Sequence, residues 1–208
     1  MMPFPSPTAA LAPHLPSPGF ADPVRDAQRC FRKVLAAISY PGRLQDMRGL
    51  LSIAPGPLHP AAAALCLALF DLDTPVWLGR SVDTPDVRQF LSFHCGCPVA
   101  AQPGEAAFAV LSAEEATALM EAFHVGTPEY PDRAATLLIQ TSALAGGPAA
   151  EIAGPGIPGS QAIEAAGLTP EFWARRGAIN ALFPTGLDMI LIDAQRIAGL
   201  PRTVRIER

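Results

Sequence analysis

Lysine is nearly missing from this 208-residue chain: 14 of its 15 basic residues are Arg, and only Lys33 is Lys. A mechanism that needs a Schiff-base amine or a P-loop lysine must use that residue or be discarded. Charge is scarce too, at 16% of residues, where a soluble domain carries about 25%. Half of the residues are hydrophobic, which rules out disorder along the whole chain. The net charge of −4 argues against an electrostatically driven nucleic-acid binder. No apolar run approaches the ~18–20 residues of a membrane span, and the longest, residues 61–70, reads as a buried helix. There is no Gly-x-Ser-x-Gly elbow or HExxH pair. The first 20 residues lack the continuous apolar stretch of a secretory signal, so the expected location is the cytoplasm, with reduced thiols.

What is present is a series of helix starts and buried strands. Residues 1–21 are a proline-rich, irregular lead-in, and residues 22–208 read as one α/β domain. Asp22-Pro23, Thr84-Pro85 and Thr169-Pro170 each pair an N-cap with a first-turn proline. Ser112 with Glu115 makes a capping box for a helix to about Phe123. The first helix stops at Pro41-Gly42, an extended piece follows near residues 44–47, and Pro60 opens a helix apolar on nearly all sides. The last helix is expected to end before Pro184. Residues 75–78, 107–111, 135–141 and 187–192 read as buried strands, with weaker candidates at 151–153 and 203–206. Alternating strands and helices give a layered, mixed sheet flanked by helices.

Five constellations carry candidate chemistry. In Phe93-His94-Cys95-Gly96-Cys97, a Cys-x-Cys pair beside a His offers soft ligands. A structural zinc site wants four, however, and no second pair exists, so His94 reads as a helix-end or cleft residue and no metal is assigned. Cys30 and Cys66 fall inside helical patterns and read as buried small hydrophobes. The loop from Gly154 to Ser160 is glycine-rich but lacks the Gly-Lys-Ser/Thr ending, and its prolines remove donors, so it reads as a turn. Asp188 opens a buried strand, as an acid/base group, an orienter of an Arg, or a strand-end ion pair. Arg202, between Pro201 and Thr203, is placed to grip a phosphate or carboxylate. Arg25, Arg29, Arg32 and Lys33 form a basic stripe on the first helix, either solvated or facing an acidic partner.

Several of these segments together resemble one family. Gln28 to Leu35 with Tyr40-Pro41-Gly42 is similar to the opening helix of PhnH, a subunit of the bacterial carbon–phosphorus (C–P) lyase system. Leu69 to Leu78, with its Asp-Thr-Pro-Val-Trp-Leu block, Phe93-His94 before Pro98, and Gly126-Thr127 before Ala135-Thr136-Leu137 follow in that family's order. Gly154 to Ile157, Phe183-Pro184 with Gly186 and Asp188, and Pro201-Arg202-Thr203 complete the series, which covers roughly residues 22–206. Cys95 and Cys97 stand where the family has small non-thiol residues.

The resemblance implies a fold like that of the pyridoxal-phosphate-dependent transferases, without the cofactor, and a cytoplasmic homodimer. It implies partner subunits PhnG, PhnI, PhnJ and PhnL, with no nucleic acid and no membrane. The implied role is a non-radical accessory subunit in making ribose 1-alkylphosphonate 5-triphosphate from ATP and an alkylphosphonate. The alternative is a stand-alone small-molecule enzyme on a repurposed transferase fold. A single lysine on the first helix suits the absence of an internal aldimine. No catalytic residue is assigned. The expected ligand-binding residues are Arg202, His94 and Asp188, for an anionic ligand.

Overall fold

The computed structural model describes residues 15–207. The part of the lead-in before Leu15 lies outside the described residues. In chain order the elements are α1 (Pro23–Ser39), β1 (Gln45–Asp46), α2 (Pro60–Leu69), β2 (Val76–Leu78), α3 (Pro85–His94), β3 (Phe108–Ser112) and α4 (Ala113–Leu119). Then come β4 (Thr136–Gln140), β5 (Ala150–Ala153), β6 (Gln161–Ile163), α5 (Pro170–Asn180), β7 (Asp188–Ile192), β8 (Arg196–Leu200) and β9 (Arg205–Ile206).

The helix starts follow the capping residues. The Asp22 side chain accepts from Arg25 N, Thr84 from Val87 N, and Thr169 from Phe172 N. Each satisfies a donor that the first helical turn cannot pair internally. Ser112 and Glu115 close the capping box at α4. That helix is shorter than its pattern suggests and tightens into a 3₁₀ turn over Met120–Ala122. Likewise α5 ends at Asn180, and turn hydrogen bonds from Leu182 N to Ile179 O and Phe183 N to Asn180 O carry the chain on toward Pro184.

Six strands form one mixed sheet in the order β1-β8-β7-β4-β3-β2. β2, β3, β4 and β7 run parallel, while β8 is antiparallel to β7 and β1 antiparallel to β8. Successive side chains point to opposite faces of a strand, and the sheet buries both. Val110, Leu138, Ile190 and Ile197 enter a core under α1, α2 and α3. Their neighbours Leu111, Leu137, Leu191 and Ala198 enter a second core under α4, α5 and the small sheet. Each fully buried Leu or Ile contributes about 1.5–3 kcal/mol. The small sheet is antiparallel, in the order β6-β5-β9.

β8 has no counterpart in the sequence reading, which passes from a strand at 187–192 to one at 203–206. Gly199 in its centre reads as a strand breaker. Its reason is steric: a Cβ there would lie 2.4 Å from Ala37 O, because α1 lies directly on this strand. The preceding turn is held by Asp193, which accepts from Gln195 N, Arg196 N and Leu144 N and pairs with the Arg196 guanidinium at 2.6 Å.

Candidate functional site

Two of the three expected site residues meet. Asp188 opens β7, and Arg202 follows β8, so the antiparallel β7–β8 pair brings their ends together. The Asp188 carboxylate accepts from Arg202 N at 2.8 Å, from Nε at 3.2 Å and from Nη2 at 2.5 Å. Arg202 Nη1 donates to the Pro131 carbonyl. Both faces of the guanidinium fork are therefore held by the protein itself, which makes Arg202 a clamp between β7, β8 and the turn at Pro131.

A third charge sits beside them that the sequence reading missed. Arg176 on α5 is fully buried and donates from Nη2 to Leu200 O and Pro201 O. Its Nε and Nη1 have no partner among the described residues. Burial lowers this guanidinium to about 10, and the nearby Asp188 carboxylate pulls in the opposite direction. One carboxylate thus faces a fully buried cation and a half-buried one. The Arg175-Arg176 pair in a helix gave no sequence signal of which member turns inward.

His94 lies elsewhere. It ends α3, and its Nε2 donates to the Ser17 carbonyl at 2.9 Å. Its ring stands 4.7 Å from Phe90 and 4.9 Å from Phe93 between centroids. Its helix follows β2, three strands from β7 in the sheet, which is about 14 Å at the usual strand spacing. The structure brings Asp188 and Arg202 together and leaves His94 pinning residues 17–19 of the lead-in. Next to it, Cys95 donates to the Cys66 carbonyl at 3.6 Å. The side-chain interaction of Cys95 with Cys97 raises Cys95 and holds Cys97 below the ordinary thiol value. The glycine-rich loop is a packing element: a Cβ on Gly156 would lie 2.1 Å from Ser39 O at the end of α1.

A broad concavity lies at the opposite end of the strands. A cleft of 720 Å³ opens beyond the C-terminal ends of β3 and β4, lined by Ser112, Thr117, Thr141, Ser142, Thr169 and Arg175 among others. Ligands of open α/β sheets settle outside the carboxyl ends of the parallel strands. The signal was available in the Gln140-Thr141-Ser142 run, where a buried strand ends in polar residues. Behind the lining residue Ser112, Glu115 ties the start of α4 to the turn after β2, accepting from Ser81 N, Ser81 Oγ and Ser112 N. Desolvation pushes this carboxyl up, but those bonds outweigh it and hold the group below its usual 4.5. Arg175 pairs with Glu121 at 2.8 Å and Glu171 at 3.0 Å. Lys33, on α1, is not among the cleft's lining residues.

Comparison with known proteins supplies what the geometry does not. The family model for the bacterial phosphonate metabolism protein PhnH matches residues 18–207. The chain is 37% identical over 195 residues to the "Alpha-D-ribose 1-methylphosphonate 5-triphosphate synthase subunit PhnH" of Rhizobium meliloti (strain 1021), covering 92% of this chain and 96% of that one. It is 33% identical over 184 residues to the "Putative C-P lyase subunit protein HtxG" of Stutzerimonas stutzeri, covering 86% and 85%. The chain therefore belongs to the PhnH family of bacterial phosphonate metabolism proteins.

Proposed function

We propose that this protein is a non-radical accessory subunit of the C–P lyase system. In this reading it acts with companion subunits in joining an alkylphosphonate to the ribose triphosphate of ATP, with loss of adenine. The observation that carries it is near-full-length identity to a named synthase subunit, 37% over 96% of that relative. The companions are PhnG, PhnI, PhnJ and PhnL, the location is the cytoplasm, and the isolated chain is a homodimer. Stable interfaces bury more than about 1,000 Å². Exposed apolar side chains support such contacts. Val24, Phe31 and Leu35, which share one stripe of α1, are 81%, 45% and 50% exposed.

The fold is read as transferase-like but without the cofactor. A lysine-bound aldehyde cofactor needs an amine at its site, and the single lysine stands on α1. Arg202 and Asp188 act in this reading as a clamp that shapes the strand ends, and His94 as an anchor of the lead-in. The test is adenine release from ATP and methylphosphonate. The chain alone should release none, and a mixture of the companion subunits should release adenine only when the chain is added. Release by the chain alone would favour a stand-alone enzyme, and full activity of the mixture without it would refute the accessory role.

A further inference from the structure

Two thiols stand side by side where α3 ends. Cys95 is the C-cap of that helix, and Cys97 follows after a single residue. Cys95 N and Gly96 N both donate to Leu91 O, at 2.9 and 3.0 Å, which closes the last helical turn over them. Gly96 then takes φ +65°, in the left-handed region, and the chain turns between the two cysteines. Two Cα–Cα steps of about 3.8 Å separate them. A turn at the middle residue shortens that span toward the roughly 4.4–6.8 Å that a disulfide bridges. Both thiols are free, and their side chains already interact. That interaction and the Cys97 backbone amide hold the Cys97 thiol low, against desolvation and the Asp71 carboxylate. Cys95 is partly exposed, whereas Cys30 and Cys66 have no exposed surface. No group of three His, Cys, Asp or Glu among the described residues is placed to hold a metal ion. The two thiols are therefore read as a pair that reacts with itself rather than as ligands.

We infer that Cys95 and Cys97 form a reversible dithiol–disulfide site, oxidised by hydroperoxides. Cys97 attacks as the thiolate. Its sulfur bonds to one peroxide oxygen, the O–O bond breaks, and hydroxide leaves, so sulfur gives up two electrons and becomes a sulfenic acid. The Cys95 sulfur then attacks the Cys97 sulfur. The S–S bond forms, the S–O bond breaks, and the departing hydroxide takes the Cys95 proton as water. One hydrogen peroxide and two thiols thus give one disulfide and two waters. Cys95 keeps its proton while it lies against the Cys97 thiolate, and that hold ends once Cys97 carries the oxygen. A bridge closed over one residue is constrained, and constrained bridges are the labile, reversible ones. The Cys95 thiol donates to the Cys66 carbonyl of α2 at 3.6 Å. The disulfide removes that donor, so oxidation is felt where α3 meets α2. The site is independent of the accessory-subunit reading and goes beyond it.

The test is peroxide treatment of the folded, reduced, full-length chain at pH 7.5, with acid quenching, alkylation of the remaining thiols and peptide mapping. Hydrogen peroxide in slight molar excess should remove two hydrogen atoms from the peptide that holds Cys95 and Cys97, and dithiothreitol should restore them. Cys30 and Cys66 should stay reduced. The bridge should form faster in the folded chain than in urea, by up to about ten-fold, because an ordinary thiol is only about one-tenth thiolate at this pH. In Cys95→Ser, oxidation of Cys97 should stop at the sulfenic acid, which dimedone traps. In Cys97→Ser, Cys95 should survive the same exposure. Circular dichroism shows that each variant is folded, and the wild-type mapping stands without them. A wild-type chain that forms no bridge overturns the proposal. So does a bridge to Cys66, oxidation beyond the sulfenic acid without a bridge, or bridge formation no faster folded than in urea. Oxidation of Cys95 in Cys97→Ser at the wild-type rate overturns the assignment of Cys97 as the attacking thiol, and the proposal with it.

Discussion

Replacing Asp188 with Asn should destabilise the fold far more than an ordinary surface substitution. The carboxylate is the only acid among the partners of Arg202 and Arg176 described above. In the ion pair, the Arg202 and Asp188 side chains keep 15% and 24% of their exposure. Removing one partner of a buried pair costs about 3–5 kcal/mol, chiefly because the other charge is left uncompensated. Partial exposure puts this site at the lower end, about 3 kcal/mol. For a chain of this size that is a fall of roughly 6–12 °C in Tm, read by circular dichroism. A double-mutant cycle with Arg202→Leu separates the pair from its surroundings. The double variant should be less destabilised than the sum of the singles by at least about 1 kcal/mol, because the substituted amide then no longer faces a stranded guanidinium. A loss below about 1 kcal/mol for Asp188→Asn, or strict additivity in the cycle, would refute the clamp.

Gly199→Ala should lower stability by about 1–3 kcal/mol, since its Cβ would lie 2.4 Å from the Ala37 carbonyl; chemical denaturation reads this directly. Glu115 is held below its usual 4.5, so its contribution is present above that pH and is lost as the pH falls through the lowered value. The urea midpoint should therefore drop less between pH 7 and pH 4 in Glu115→Gln than in wild type. Native alkylation at pH 7.5 followed by peptide mapping should modify Cys97, the one thiol of the four held below its ordinary value, ahead of Cys95, Cys30 and Cys66. Cys30 and Cys66 are buried, and burial pushes Cys30 up to about 12 and Cys66 higher still.

Local signals carried most of the architecture. The three Xaa-Pro caps, the Ser112–Glu115 box and the four apolar parallel strands were readable because each depends on a few adjacent residues. β8 was not, because Gly199 answers to a helix that lies far away in the sequence. The same distinction divides the site. Asp188 and Arg202 could be singled out as charges in apolar surroundings, but their mutual pairing is set by the β7–β8 register. His94 looked equivalent to them on the same criterion and instead binds a backbone carbonyl three strands away. Arg176 could not be told from Arg175, since only packing decides which of two adjacent arginines enters the core.

The seating of α1 on β8 also sets an order of events during synthesis. The helix emerges early, and the strand that covers it emerges almost last. Until then α1, with its Cys30, Val34 and Ala37 face, has α2 and the short β1 to lie against but not β8. A contact between distant parts of a chain forms only after the loop entropy between them is overcome, so this half of the core is the slow one. Nascent chains stalled before Arg196 should therefore expose that face and be the species that chaperones hold or that aggregates. C-terminal truncation would remove the surface on which the first helix comes to rest, and would do more harm than the short length deleted suggests.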